Sequence, residues 1–316
     1  ALLGGGSLAA GGLGMAGGTI AVYTALGLGG ASIAGWKASH LHGDIEEWDI
    51  SYLGGQGLHV HVGISGWLQQ DNNHKQVWKG LPSAFPQSSN HILAWESKTL
   101  YDLGNTLQGL VSKGLITKGV VKAALSATSK AVGMAALPLT VLSALEMIDN
   151  PWTVAKNRSE QAGKLLGEFI ADNGLGGGLP ITLIGYSLGA NVILAALERL
   201  HERNATGKIY NIYFLAGAIS RNDPRLKYLK SVVVGDVVNV YSHQDFVLSY
   251  IYRTAELFAE PVGISPLNLK NCIDLNVTDS VGDHLDYLEK FDYIFAEIKR
   301  RSEERRVGKE CRIGCR

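Results

Sequence analysis

The pentapeptide G-Y-S-L-G at residues 185–189 is the feature that most constrains the fold of this chain. An apolar run at residues 181–184 leads into it, and a pattern typical of an amphipathic helix follows it. A serine between a strand and a helix occupies a sharp, strained turn that projects its hydroxyl above the sheet. Gly185 and Gly189 provide the room, because side chains there would collide with the neighbouring strand and helix. The pattern predicts a nucleophile elbow at Ser187; an ordinary turn with an inert serine is the alternative.

Apolar runs that alternate with helical patterns predict the rest of the fold. We expect strands at residues 58–65, 91–97, 181–185, 211–216, 237–242 and 272–277, and helices at 153–172, 190–202 and 285–300. This alternation favours parallel crossover units and therefore an α/β class with a mostly parallel, doubly wound sheet. Together with the elbow, it predicts an α/β-hydrolase fold.

A serine nucleophile needs a general base, and in this fold the chain order is serine, acid, histidine. Asp245 follows the fifth predicted strand and His284 follows the sixth, so both lie where open α/β sheets place their sites. The sequence therefore predicts the catalytic triad Ser187, Asp245 and His284.

Other histidines and carboxylates near these positions are rivals for the same roles. His243 is close to Asp245 in sequence. However, side chains that are two residues apart at the end of a strand are poorly placed to hydrogen-bond to each other. Three further aspartates surround His284, although adjacency in sequence does not direct a carboxylate at the imidazole: Asp279, Asp283 and Asp286.

The oxyanion of an acyl-transfer reaction needs two backbone N–H donors. We expect one from Leu188, which follows the nucleophile, and the other from Trp67 in the S-G-W-L segment after the first predicted strand. Gly66 would allow the tight turn there. A packing role for Trp67, in the core or in an acyl pocket, stays open.

Composition and cysteine content bear on ligands and compartment. The formal net charge is +0, which gives no electrostatic reason to expect nucleic acid. His59 and His61 form an H-x-H pattern on one strand face, but no third ligand accompanies them, so strand packing is preferred to a metal site and no cofactor is expected. The chain has only 3 cysteines, which favours a reducing compartment.

The segments outside this core differ in composition. Residues 1–36 contain no charged side chain and many glycines, and they are predicted to form a Gly-rich membrane segment; a flexible leader is the alternative. Residues 37–57 form a polar connector, and the predicted hydrolase domain covers 58–300. Within it, residues 98–150 form a helical insertion, which is a packed hairpin, a lid or an interfacial helix. Residues 301–316 look foreign, because R-S-E-E-R-R-V-G-K-E-C resembles a translated sequencing adapter.

Several ordered runs between residues 58 and 298 resemble one known family. They are G-I-S-G-W-L, A-W-E-S-K-T-L, I-D-N-P-W-T-V-A-K-N-R-S, L-I-G-Y-S-L-G-A, D-F-V-L-S-Y-I-Y-R-T and G-D-H-L-D-Y. The chain resembles the transmembrane and coiled-coil domain-containing protein 4 family, also called domain of unknown function 726. The resemblance implies a eukaryotic, membrane-associated lipase or esterase with an α/β-hydrolase-like domain, and Ser187, Asp245 and His284 fall on the family's inferred triad positions.

The resulting expectation is a membrane-tethered serine hydrolase that cleaves a lipid or other hydrophobic ester, with its catalytic domain facing the cytoplasm. Its expected partners are a membrane and an ester substrate. The alternative is a protein that uses the hydrolase fold for binding in membrane trafficking or as a scaffold, with little or no turnover.

Overall fold

The structure, a computed structural model, describes residues 45–69, 72–112, 139–252, 256 and 259–314. Its strands are β1 (Trp48–Gly54), β2 (Val60–Ile64), β3 (Ser89–Trp95), β4 (Ile181–Tyr186), β5 (Ile209–Leu215), β6 (Val237–Tyr241) and β7 (Cys272–Asn276). Its α-helices are α1 (His74–Val77), α2 (Leu81–Ala84), α3 (Ser97–Ser112), α4 (Leu139–Ala171), α5 (Gly189–Glu202), α6 (Tyr228–Val232), α7 (Asp286–Glu289) and α8 (Phe291–Gly314). A π-helix covers Val247–Tyr252.

The strands form one sheet in the order β1-β3-β2-β4-β5-β6-β7. Strands β2 to β7 pair in parallel, and β1 pairs with β3 in the antiparallel sense. The mostly parallel α/β sheet and its six predicted strands are confirmed. The chain leaves β2 toward one side of the sheet and then returns to place β4 on the other side. Sheets of this kind bind ligands at the carboxyl ends of the strands beside such a switch point, which here are β2 and β4.

Strand β1 lies inside the segment that the sequence predicts to be a polar connector, residues 37–57. Trp48 and Ile50 are buried, and they alternate with the more polar Asp49 and Ser51, as expected for an edge strand. Trp48 pairs with Trp95 of β3, and the antiparallel register continues from there. The folded sheet therefore begins earlier than the predicted boundary at residue 58.

The predicted insertion, residues 98–150, is described only at its two ends, which are helical. Helix α3 covers the first part, and α4 begins at Leu139 and continues without a break to Ala171, although it contains Pro151. The two helices pack against each other. Residues 113–138 lie outside the described part of the chain, so the choice between hairpin, lid and interfacial helix stays a prediction.

The predicted membrane segment, residues 1–36, also lies outside the described residues. Within the part of the chain that the structure describes, no helix combines the length and the apolar character needed to cross a bilayer. At the other end, α8 continues past residue 301 to Gly314, and Arg305 lies 3.3 Å from the carboxylate of Asp236. The foreign origin of residues 301–316 stays a prediction.

Helix α5 follows the elbow and is held tightly by α4. A Cβ atom at Gly163 of α4 would lie 2.2 Å from the carbonyl oxygen of Val192, so only glycine allows this approach. Because α5 is also buried against the sheet, its first turn is fixed relative to the end of β4. The core therefore provides a rigid base for the serine between them.

Candidate active site

Ser187 forms the turn between β4 and α5, with a backbone φ of 56°. This left-handed conformation costs a non-glycine residue about 1–3 kcal/mol and persists only where the surroundings enforce it. Here the N–H of Ser187 donates to the carbonyl of Leu215 at 3.0 Å, and its own carbonyl accepts from Ala190 and Ala218 at 3.1 and 3.0 Å. The backbone hydrogen bonds on both sides of the residue therefore hold the strained turn in place.

The two glycines of the pentapeptide face backbone atoms directly. A Cβ at Gly189 would lie 2.1 Å from the carbonyl oxygen of Ile64 at the end of β2. A Cβ at Gly185 would lie 2.7 Å from the carbonyl oxygen of Gly189. Because these obstacles are main-chain atoms, neither position accepts a side chain without moving the turn.

Asp245 and His284 contact each other in the protein interior, at the carboxyl end of the sheet. The His284 Nδ1 atom lies 2.6 Å from Asp245 Oδ2, and both side chains are almost fully buried. The other carboxylate oxygen, Oδ1, accepts the N–H of Leu248 at 3.0 Å, at the start of the π-helix. With both oxygens engaged, the carboxylate has one orientation, and it directs the opposite ring nitrogen of His284 away from itself.

That opposite nitrogen, His284 Nε2, is buried and has no hydrogen-bond partner among the described residues. The hydrogen bond from Ser187 Oγ that a triad requires is therefore not formed in this structure. Catalytic hydrogen bonds are often long without substrate and tighten when the substrate binds. The pairing of Ser187 with His284 stays a prediction, while the Asp245–His284 pair is present.

The rival residues have other partners. His243 is exposed, and its backbone N–H donates to Thr278 Oγ1 at 3.0 Å. Asp283 accepts the backbone N–H of His284 at 2.6 Å. Asp286 accepts the N–H groups of Gly282 and Asp283 at 2.8 and 3.1 Å, and Asp279 is exposed. Two of the three neighbouring aspartates thus shape the loop that carries His284.

The proposed oxyanion donors lie on two backbone segments that touch. A Cβ at Gly66 would lie 2.0 Å from the backbone nitrogen of Leu188, so the S-G-W-L segment contacts the elbow directly. The backbone N–H groups of Trp67 and Leu188 donate no hydrogen bond within the described structure. Both residues are buried. Backbone N–H groups of buried residues seldom lack an acceptor.

Tyr186, the residue before the serine, has contacts that no local sequence pattern predicts. Its hydroxyl accepts a hydrogen bond from Trp67 Nε1 at 3.0 Å and donates one to the backbone carbonyl of His284 at 2.8 Å. Its ring also stacks on the imidazole of His284, with centroids 5.1 Å apart. Only its place inside the pentapeptide could have drawn attention to it.

The H-x-H pair lies at the opposite end of the sheet and packs within it. The rings of His59 and His61 stack with centroids 4.7 Å apart, and His61 stacks on Phe85 at 4.0 Å. Burial, helped by the positive charges of His59 and Lys299, lowers the pKa of His61 to about 3. No group of three or more metal-ligating side chains occurs in the described ranges.

Comparison with known proteins places the chain in a family. The sequence profile of the family described as "Protein of unknown function (DUF726)" matches residues 1–301. This chain belongs to the DUF726 family. Ser187, Asp245 and His284 all lie within the matched range.

Relatives of this DUF726 chain have informative names. The rice (Oryza sativa subsp. japonica) "Transmembrane and coiled-coil domain-containing protein STS1" is 31% identical over 291 residues, which are 89% of this chain and 43% of the relative. The Saccharomyces cerevisiae "Probable lipase MIL1" is 29% identical over 288 residues, which are 89% of this chain and 26% of the relative. The chain thus spans less than half the length of either relative.

Among solved structures, "Est1E from Butyrivibrio proteoclasticus" aligns with 81% of this DUF726 chain and 94% of its own chain, at 9% identity and a TM-score of 0.38. A TM-score of this size does not establish a common fold. The fold assignment therefore rests on the order of the strands and on the elbow described above.

Proposed function

We propose that the protein is a serine hydrolase that cleaves a lipid or other hydrophobic ester through an acyl-enzyme. One observation carries the proposal: a buried histidine is bound to a buried aspartate through Nδ1, while its Nε2 has no partner within the described structure. A buried polar atom without a partner is costly, and it persists at sites where a ligand or a reacting group completes it. In this proposal the group is the hydroxyl of the strained Ser187, which directly follows the Tyr186 whose ring stacks on His284.

In this proposal each of the three side chains has one chemical task. Ser187 Oγ attacks the ester carbonyl carbon while His284 Nε2 takes the hydroxyl proton, and Asp245 stabilises the imidazolium. The tetrahedral intermediate then collapses, and the imidazolium returns the proton to the departing alcohol. A water molecule next attacks the acyl-enzyme, again with His284 as base, and releases the carboxylic acid and the free serine.

The negative charge on the tetrahedral oxygen needs donors that are already oriented. In this proposal the backbone N–H groups of Leu188 and Trp67 supply them. Because these groups bond to no acceptor in the described structure, they bind the oxyanion without first breaking an internal hydrogen bond. Loss of one such donor typically lowers kcat by a factor of about 10²–10³.

The preference for a hydrophobic ester and the membrane location have their own support. A relative is named a probable lipase, and another is named a transmembrane protein. Residues 1–36 have the composition of a membrane segment, and the apolar 98–150 region would provide a surface for an acyl chain. We place the catalytic domain on the cytoplasmic side of this membrane, since the low cysteine content suits a reducing compartment.

A fluorophosphonate probe tests the nucleophile. The full chain should be labelled, the Ser187→Ala variant should not, and the Ser231→Ala variant, which changes an exposed serine, should label as the wild type does. If the folded wild-type chain is not labelled, the proposal fails, and a binding role without turnover takes its place.

Two further measurements test the substrate and the location. Lipid profiles of cells that express the wild type or Ser187→Ala should differ in at least one ester lipid. The full chain should stay with membranes after carbonate extraction; its release into the supernatant would exclude an integral segment.

A further inference from the structure

We infer that Trp67 and Tyr186 are positioning residues. They hold His284, the base of the proposed reaction, in a fixed position relative to the nucleophile Ser187. They form a hydrogen-bonded chain, which we call the relay: Trp67 Nε1 to the Tyr186 hydroxyl at 3.0 Å, and that hydroxyl to the His284 carbonyl at 2.8 Å. The inference rests on the proposed function, because it assigns His284 as the base.

The direction of the relay is fixed by the chemistry of its ends. An indole N–H only donates, and a backbone carbonyl only accepts. The Tyr186 hydroxyl must therefore accept from Trp67 and donate to His284. Complete burial raises the pKa of the Tyr186 hydroxyl well above its usual value, so the group keeps its proton and stays a donor.

The relay holds the backbone of His284, and aromatic contacts hold its ring. The Tyr186 ring lies against the imidazole with an interplanar angle of 28°. The Trp67 ring approaches the same imidazole edge-on, with centroids 5.4 Å apart. Asp245 binds Nδ1 of His284, and the other nitrogen of this ring, Nε2, has no partner in the described structure. These contacts restrict ring rotation and fix where Nε2 points.

Tyr186 suits this task because of its position in the chain. It is the last residue of β4, directly before Ser187, so a displacement of the elbow also displaces the residue that holds the base. Trp67 links the relay to the proposed oxyanion site, since its backbone N–H is one of the two proposed oxyanion donors and its indole begins the relay. The nucleophile, the base and the oxyanion donor are thus connected through two side chains.

Two substitutions remove the relay without removing a reacting group. Tyr186→Phe deletes the central hydroxyl and retains the ring, and Trp67→Phe deletes the indole N–H and retains the backbone donor. With p-nitrophenyl butyrate as substrate, we expect Tyr186→Phe to lower kcat about 10- to 100-fold, because small displacements of reacting groups have effects of this size. KM should stay within about twofold, since the relay does not touch the substrate. Trp67→Phe should lower kcat less, because Tyr186 can still donate to His284.

The double variant separates a relay from two independent effects. Once Tyr186 has lost its hydroxyl, the Trp67 indole N–H has no acceptor left. Trp67→Phe keeps an aromatic ring beside the imidazole, so the double variant should be no slower than Tyr186→Phe alone. Losses of kcat that multiply would overturn the relay. Tyr213→Phe is the matched control, since it removes another buried tyrosine hydroxyl, on β5, which accepts from Asn211 at 3.2 Å. It should retain the wild-type kcat.

A spectroscopic measurement keeps the inference separate from the proposed activity. The proton between His284 Nδ1 and Asp245 should give a far-downfield proton resonance that disappears in His284→Gln. Tyr186→Phe should shift or broaden this resonance, whereas Tyr213→Phe should leave it in place.

The outcomes separate the two claims. If the wild type neither labels nor hydrolyses esters but the resonance still responds to Tyr186→Phe, the proposed function fails and the positioning contact stands. If Tyr186→Phe lowers the melting temperature but keeps the resonance and the kcat of the wild type, Tyr186 has only a structural role and the inference is wrong. If Tyr186→Phe does not fold, Trp67→Phe decides by the same two readouts, and wild-type values for both would overturn the relay.

Discussion

The Nδ1 atom of His284 lies 2.6 Å from the Oδ2 atom of Asp245, although 39 positions separate the two residues in the chain. Sheet order brings them together, because Asp245 follows β6, His284 follows β7, and these strands pair in parallel. A second contact joins the same two loops, since the Ser242 hydroxyl donates to the Val281 carbonyl at 2.7 Å. Asp245 and His284 are therefore held in place by the edge of the sheet.

Asp245→Asn tests whether this carboxylate orients the base. The amide keeps the shape of the side chain, but it loses the charge that stabilises an imidazolium and favours the wrong imidazole tautomer. We expect the rate of fluorophosphonate labelling to fall by about 10³–10⁴. Asp279→Asn is the matched control, because Asp279 is an exposed aspartate close to His284 in sequence, and it should label at the wild-type rate. Equal losses in the two variants would contradict the assignment of the acid.

Local signals explain why the elbow and most of the sheet could be predicted. The apolar run of β4, the two glycines and the helical period of α5 all lie within twenty-two residues, 181–202. Apart from the family resemblance, Asp245 and His284 are candidates because each follows a strand pattern, in the chain order that this fold requires. A position after a strand places a residue at one edge of the sheet, but it does not specify which residues touch there. The 2.6 Å distance between His284 Nδ1 and Asp245 Oδ2 depends on the pairing of β6 with β7.

Long-range contacts explain what the sequence did not predict. Strand β1 lies beside acidic residues and alternates apolar with polar, so its burial becomes evident only from its antiparallel pairing with β3. The role of Tyr186 depends on Trp67 and His284, which are 119 and 98 positions away. No local pattern encodes such a chain of hydrogen bonds.

Gly66→Ala tests the contact between the elbow and the S-G-W-L segment, which carries one of the proposed oxyanion donors. The added methyl would lie 2.0 Å from the backbone nitrogen of Leu188 and 2.4 Å from the carbonyl oxygen of Tyr186, so the segment must move. We expect a loss of about 1–3 kcal/mol in the free energy of unfolding, measured in urea. Labelling by the fluorophosphonate should fall by at least about 10²-fold, because one oxyanion donor moves.

Gly109→Ala is the control for Gly66→Ala. Gly109 lies in α3, and among the described residues outside its own turn of helix a Cβ there would meet no atom within 4 Å. Alanine in a helix interior is favoured over glycine by about 0.5–1 kcal/mol, so this variant should be slightly more stable and label normally. If both variants behave alike, close approach at Gly66 is not the cause of the effect.

Glu96→Ala tests the carboxylate that joins β3 to α4. Glu96 is buried, its Oε1 accepts the backbone N–H groups of Glu46 and Glu47 at 2.6 and 3.1 Å, and its Oε2 accepts from Arg158 at 3.0 Å. Removing it leaves a partly buried guanidinium and two N–H groups without their acceptor. We expect a loss of about 2–4 kcal/mol in urea unfolding, less than for a fully buried pair because solvent reaches Arg158.

The matched control for Glu96→Ala is Glu202→Ala, which breaks the exposed pair with Arg199. Surface pairs contribute about 0–1 kcal/mol, so the loss should stay within that range. A similar loss in both variants would show that burial does not strengthen the Glu96 contacts.

Acid should destabilise the fold through its buried histidines. Burial lowers the pKa of His61 to about 3 and those of His74 and His91 to about 4, whereas an unfolded histidine titrates near its ordinary value of about 6.5. Between these values the unfolded chain binds more protons than the folded chain, so stability rises with pH. The contribution is fully present above about pH 6.5 and is lost as the pH falls toward 4.

Urea unfolding at pH 7, 6 and 5 measures this slope. Each buried histidine should contribute up to about 1.4 kcal/mol per pH unit below its unfolded pKa. His61→Phe should remove one such contribution, because phenylalanine can keep the stack on Phe85 but does not titrate. Phe85→Leu is the control, since it weakens the same stack without changing a titratable group and should lower stability equally at every pH. A slope in His61→Phe as steep as in the wild type would contradict the assignment, because proton uptake at this histidine could not then be a source of the acid sensitivity.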